Sequence, residues 1–158
     1  MKKILLFLMA IFAFGLHNVS AQDAPLKIVT NHPDLKIKVK RCAASGKSVY
    51  LELLLNNVGT NDVEAQARSW KSIAYDNEGN IYEEGNIKVK VANKADYGFY
   101  SGMFDIPVGV PMKLSILIEG VTTAAETLSR FKLHLDCSKW GLSENKLIVF
   151  SNIPITRD

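Results

Sequence analysis

Cys42 and Cys137 are the only cysteines in the sequence, and a disulfide between them would close most of the domain into one loop. In an oxidising compartment such a bridge would contribute about 4 to 5 kcal/mol in the chain-entropy picture. Strand alternation puts Cys137 on the face of Leu133 and Leu135, whereas Cys42 falls on the face of Lys36, Lys38 and Lys40 unless a bulge after Val39 shifts the parity. The sequence therefore leaves two readings open, a Cys42–Cys137 disulfide or two separate thiols. The histidine nearest to either cysteine is His134, three residues before Cys137, an odd spacing that puts the two side chains on opposite faces of a strand, so a nucleophilic thiol is not indicated.

Asp136 stands two residues from His134 and could orient it as a base, but no Gly-x-Ser-x-Gly turn supplies a nucleophile. His32 lies far from His134 beside Pro33, and the two have no metal-ligand spacing. Gly46-Lys47-Ser48 ends like a phosphate loop, yet Arg41 occupies the position of that motif's first glycine. Asp76, Glu78 and Asn80 have the spacing of early calcium-loop ligands, but Ile81 and Ile87 stand where the loop needs glycine and a bidentate carboxylate. An ordinary polar turn is expected there. Glu83 and Glu84 are adjacent on a strand end, so their carboxylates diverge instead of meeting at one bond. No enzyme, no cofactor and no metal are expected from these residues.

Aromatic side chains offer the other chemistry, stacking on a ring or anchoring a partner surface. Trp70, Trp140 and Tyr75 are the candidate ligand-binding residues. Trp70 and Tyr75 have opposite parity along a regular strand, so one of them faces out.

The elements that would position these groups are strands. Leu35, Ile37 and Val39 alternate with Lys36, Lys38 and Lys40, and Val49, Leu51, Leu53 and Leu55 share one face after the Ser45-Gly46-Lys47 turn. Further alternation runs over Ala65–Tyr75, Ile87–Val91, Tyr97–Ile106, Met112–Ile118, Phe131–Cys137 and Lys146–Phe150. Asp76-Asn77-Glu78-Gly79-Asn80 closes a hairpin. Within Val121–Arg130 the Thr123-Ala124-Ala125-Glu126 string has capping-box spacing, which predicts a short helical crossover. Eight or nine short strands with one such crossover describe an all-β, two-sheet, immunoglobulin-like sandwich.

The ends and the composition set the compartment. Lys2 and Lys3 precede an apolar stretch, Ile4–Leu16, and Val19-Ser20-Ala21 offers small residues for cleavage, so residues 1–21 read as a signal peptide. The stretch is too short to span a bilayer, and the first cysteine, Cys42, is too far on for a lipid anchor, so no membrane insertion of the mature chain is expected. Residues 22–33 form a polar N-terminal arm, and residues 34–158 the sandwich domain. Without Lys2 and Lys3, the 19 basic residues fall to 17 against 16 acidic, which lowers the formal charge from +3 to +1 and implies no nucleic-acid partner. The expected location is periplasmic or extracellular.

Three segments carry a family resemblance. Leu51 to Gly59, Ala74 to Tyr82, and Phe104 to Pro111 are similar to the telokin-like immunoglobulin-fold domains of exported bacterial proteins. The resemblance implies a strand leading to a solvated turn, then a hairpin, then the lead-in to a late strand, in a family of largely unknown function. The sequence thus points to a non-enzymatic module acting by protein contact at a bacterial cell envelope, with a glycan- or peptide-binding domain using exposed aromatics as the alternative.

Overall fold

The computed structural model describes residues 24–30, 32–94, 97–99, 101–137 and 147–157. Trp140 and the proposed signal peptide, residues 1–21, lie outside them. In chain order the strands are β1 (Lys27–Val29), β2 (Leu35–Ser45), β3 (Ser48–Asn57), β4 (Val63–Ala67), β5 (Ile73–Asp76) and β6 (Ile81–Tyr82). They continue with β7 (Ile87–Val91), β8 (Phe104–Ile106), β9 (Met112–Glu119), β10 (Thr127–Cys137), β11 (Leu147–Pro154) and β12 (Thr156–Arg157).

Two sheets face each other, as the alternation predicts. One has the order β12-β2-β3-β9-β7, with β12 parallel to β2. The other runs β1-β11-β10 and then divides: β4 pairs the C-terminal end of β10 and leads to β8, while β5 pairs the N-terminal part of β10 and leads to β6. Inward residues fill the space between the sheets. Leu51, Leu53 and Leu55 of β3 and Leu114, Ile116 and Ile118 of β9 meet Phe131, Leu133 and Leu135 of β10, with Phe131 stacked on Phe150 at 5.7 Å between ring centroids. Burial of these side chains contributes roughly 1.5 to 3 kcal/mol each and holds the two layers together.

A bulge decides the faces of β2. Val39 pairs Leu53 and Arg41 pairs Glu52, so Lys40 is the extra residue. Lys40 and Arg41 are both exposed, and Cys42 turns inward to 6% exposure. The parity conflict between Val39 and Cys42 in the sequence has this bulge as its physical resolution.

Several expectations are corrected. The Val121–Glu126 crossover is a turn and not helical, although Ala125 N–H still donates to Thr122 O at 3.2 Å. Its backbone groups find partners outside the segment: Asn77 Oδ1 accepts the Glu126 and Thr127 N–H groups, and Arg157 donates to the carbonyls of Thr122 and Ala125. So short a segment cannot repay the cost of nucleating a helix when neighbours already satisfy it. The segment read as a polar arm contributes an edge strand, since Lys27–Val29 pairs Val149–Ser151 of β11. Ala65–Tyr75 is not one strand but two, β4 and β5, separated by a 3-10 turn over Ser69–Lys71. Among the described residues of Tyr97–Ile106, Gly98 makes an isolated bridge to Val89 and the strand spans only Phe104–Ile106.

Candidate functional site

The 3-10 turn between β4 and β5 builds the site. Where the chain leaves the ladder, His134 of β10 would lose its partners, but Arg68 N–H donates to His134 O at 3.0 Å and Ser72 Oγ accepts the His134 N–H at 3.0 Å. Ser72 in turn donates its hydroxyl to Arg68 O at 2.9 Å. The turn is therefore fixed at both ends to one residue of the central strand, and it projects Trp70 outward to 42% exposure.

A second segment is tied to the same turn. The N–H and the hydroxyl of Ser69 both donate to Phe99 O, at 3.0 and 2.6 Å. Gly98 exchanges two hydrogen bonds with Val89 of β7, at 2.8 and 3.0 Å, so the backbone on the N-terminal side of Phe99 is anchored to the opposite sheet. Phe99 is 50% exposed. Trp70 and Phe99, with Glu84 and Gly85, line a cavity of about 310 Å³ where the edges of the two sheets come together. Gly85 has φ +91°, a left-handed conformation that favours glycine at this wall.

Cations sit against the indole. Lys71 Nζ is 4.8 Å from the Trp70 ring centroid and the Arg68 guanidinium carbon is 5.9 Å from it, within the range of cation–π attraction. Arg68 also links outward: its Nε lies 2.5 Å from Asp136 Oδ2 and donates to Gln66 Oε1 at 3.2 Å. The rim thus carries positive charge at Lys71 and a carboxylate at Glu84.

The other candidates lie elsewhere. Tyr75 is half-buried on the outer face of β5, where Lys132 Nζ approaches its ring at 6.0 Å, and it does not line the cavity. Trp140 falls outside the described residues. Phe99 and Gly85 were not singled out from the sequence, and Glu84 was read there only as one of two diverging carboxylates on a strand end; the fold brings all three to Trp70. No disulfide joins Cys42 to Cys137. Cys42 lies where β2 nears β12, with its carbonyl bonded to Thr156, whereas Cys137 pairs Ala65 in the other sheet. Cys42 is buried and its thiol is pushed up to about 12 by that burial.

His134 is less exposed than a surface histidine, its side chain showing 13% of its area, and its Nε2 lies 3.2 Å from Asp136 Oδ1. Ser72, which accepts the His134 backbone N–H, is 2% exposed and commits its hydrogen to Arg68 O, so its hydroxyl is a brace for the turn. At Asp76 the carboxylate accepts four hydrogen bonds from its own hairpin, so its oxygens face that loop and not a cation. Among the described residues no group of three or more His, Cys, Asp or Glu side chains could hold a metal ion. His32 is buried, and burial holds its imidazole below the usual value. Among the described residues no helix is long and apolar enough to cross a membrane.

The three segments of the family resemblance adopt the expected local forms: β3 into a turn, the β5–β6 hairpin, and β8 leading through a turn to β9. No family model matches the chain, and no curated protein matches it. Among solved structures it is similar to the N-terminal domain of PorA, at TM-score 0.41 and 12% identity over 85% of this chain and 98% of that one. It is also similar to a family 123 glycoside hydrolase from Clostridium perfringens, at TM-score 0.39 and 11% identity over 85% of this chain and 27% of that one. The CooA pilin subunit from enterotoxigenic Escherichia coli matches at TM-score 0.33 and 12% identity, over 85% of this chain and 98% of that one.

Proposed function

We propose that this chain is an exported, non-enzymatic sandwich module of the telokin-like kind, and that it acts by contact through Trp70 and Phe99. The observation that carries the reading is the pair of exposed rings held in place by the Ser69–Phe99 hydrogen bonds. Large rings presented to water around a cavity are typical anchors for a partner, and tryptophan is enriched among residues that dominate binding energy. Because both rings stand on backbone fixed to the two sheets, little conformational entropy is lost on binding, which favours affinity. A cavity of about 310 Å³ suits one apolar side chain of a partner protein, with Lys71 and Glu84 at its rim to select the flanking charges. The leader pattern at residues 1–21 supports export.

A photo-crosslinking residue at Phe99, expressed in the native cell, tests this reading. The expected result is a discrete protein adduct that is lost when Trp70→Ala is introduced and kept when an alanine replaces Val110, which lies in the β8–β9 turn and does not line the cavity. The glycan alternative is tested in a Trp140→Phe background, where Trp70 is the remaining tryptophan. A saturable fluorescence shift with a polysaccharide, and no Trp70-dependent adduct, would replace the protein partner with a sugar.

A further inference from the structure

The edge of the sandwich away from the Trp70 cavity has a different character. β2 spans Leu35–Ser45, yet β12 covers it only at Ala43 and Ala44. Among the described residues no strand other than β3 pairs with β2 over Leu35–Cys42. The direction of its backbone groups follows from the two ends of this stretch. Leu35 N–H donates to His32 O at 3.3 Å, and Cys42 O accepts the Thr156 hydroxyl at 3.0 Å, so both residues direct their backbone away from β3. In an antiparallel ladder this orientation alternates, which places the N–H and C=O of Ile37 and Val39 on the open side as well.

The side chains along this edge are basic. Lys36, Lys38, Lys40 and Arg41 are all exposed. The register extends the charge across the outer face: Lys38 lies beside Leu54 and then Lys113, and Arg41 beside Glu52, Ser115 and then Lys90. Glu52 is the acidic residue interleaved in these two rows. This local excess stands out in a chain whose leader-free formal charge is close to neutral.

We propose that the free edge of β2 takes an acidic, extended segment of a partner polypeptide as an added strand. Strand addition satisfies the outward N–H and C=O groups of Ile37 and Val39, while Lys36, Lys38 and Arg41 select the partner's carboxylates. The same lysines exclude a second copy of this chain, since pairing two β2 edges brings like charges together. An anionic surface without a peptide backbone matches the charge but not the alternating donors and acceptors. The proposal is independent of the Trp70 cavity, and the two can fail separately.

The test uses the purified protein and a synthetic decapeptide of alternating Glu and Thr, with Gln/Thr and Lys/Thr decapeptides as controls. The expected result is binding of the Glu peptide alone, weakened roughly tenfold or more by Lys36→Glu with Lys38→Glu. Amide exchange at Ile37 and Val39 slows on titration, while amides of β7 are unchanged. Ile37→Pro removes one outward N–H without touching the β2–β3 ladder and weakens binding, with a thermal melt reporting that the fold is intact. If that variant does not fold, the exchange data on the unaltered protein still decide. The proposal is overturned by equal binding of the Gln peptide, by binding without slowed exchange at Ile37 and Val39, by no binding, or by amides at Ile37 and Val39 already protected in the free protein.

Discussion

Tyr82 donates its phenolic hydrogen to Asp76 Oδ2 at 2.7 Å, and the same carboxylate accepts Asn80 Nδ2 and the backbone N–H groups of Glu78 and Asn80, each at 2.9 Å. Burial alone would raise Asp76, but these four donors outweigh it and hold its carboxyl below the usual range. A folded-state value below the unfolded one means stability that is fully present above the ordinary carboxylate range and is lost as pH falls through the folded value. The hairpin should therefore loosen in acid. Asp76→Asn is expected to cost about 1 to 3 kcal/mol at neutral pH and to flatten the acid limb of stability. Urea midpoints measured at neutral pH and near about pH 3 check both statements.

The thiols give a prediction of opposite sign. Burial pushes Cys42 up to about 12, and burial together with the Asp76 charge raises Tyr82 to about 12. Both groups stay neutral in the folded state at pH values where the unfolded chain ionises, so their contribution is present below the unfolded values and is lost as pH rises toward 12. Cys42→Ala should make the alkaline loss of stability shallower. Because Cys42 and Cys137 are not joined, a reducing agent should leave the melting temperature unchanged, and a maleimide should spare Cys42 until the protein unfolds. A fall in melting temperature on reduction would contradict the structure.

The bulge at Lys40 predicts an asymmetry between deletions. Removing Lys40 leaves Val39 opposite Leu53 and Arg41 opposite Glu52, a regular ladder with every side chain on its present face. Removing Lys38 instead gives a regular ladder only with Lys40 turned inward opposite Leu53 and Val39 turned to water, which buries a charge in the core. The first variant should stay folded with a modest change in melting temperature. The second should be lost or severely destabilised, and circular dichroism melts of the pair distinguish the outcomes.

The place of that bulge was legible as one of two alternatives, because parity is local: Cys42 falls on the lysine face unless an extra residue after Val39 shifts it. The two-sheet arrangement was legible for the same reason, since burial on one face writes a period of two into each strand. The division of β4 from β5 was not, because alternation runs through Ala65–Tyr75 and the partners that stop it, His134 and Phe99, are distant in the chain. The crossover failed likewise. Thr123 and Glu126 have the spacing of a helix start, but Asn77 and Arg157 hold the backbone in a turn. Trp70 could be named as a candidate from its type alone, whereas its cavity with Phe99 required the fold.

Asn57 ties the end of β3 to β8 and supplies the sharpest stability test. It is fully buried, its Nδ2 donates to Asn61 O at 2.8 Å and Ile106 O at 3.0 Å, and its Oδ1 accepts Gly59 N–H at 2.9 Å. The approach at Gly59 is close, since a Cβ there would meet Asn57 Oδ1 and Asp34 at 3.1 Å. In Asn57→Asp the shape is kept but two donated bonds become contacts between a carboxylate and carbonyl oxygens. The expected cost is about 3 kcal/mol or more at neutral pH. With few donors in a buried place, the introduced carboxyl is raised above its unfolded value, so it penalises the fold once pH exceeds the ordinary carboxylate range, and the penalty eases in acid. This pH slope runs opposite to the one that Asp76 gives the unaltered protein. Unfolding of the variant and the unaltered protein, compared across the acid range, separates the two carboxyls, and a gap between them that does not narrow toward low pH would mean the Asn57 side chain is not held by these bonds.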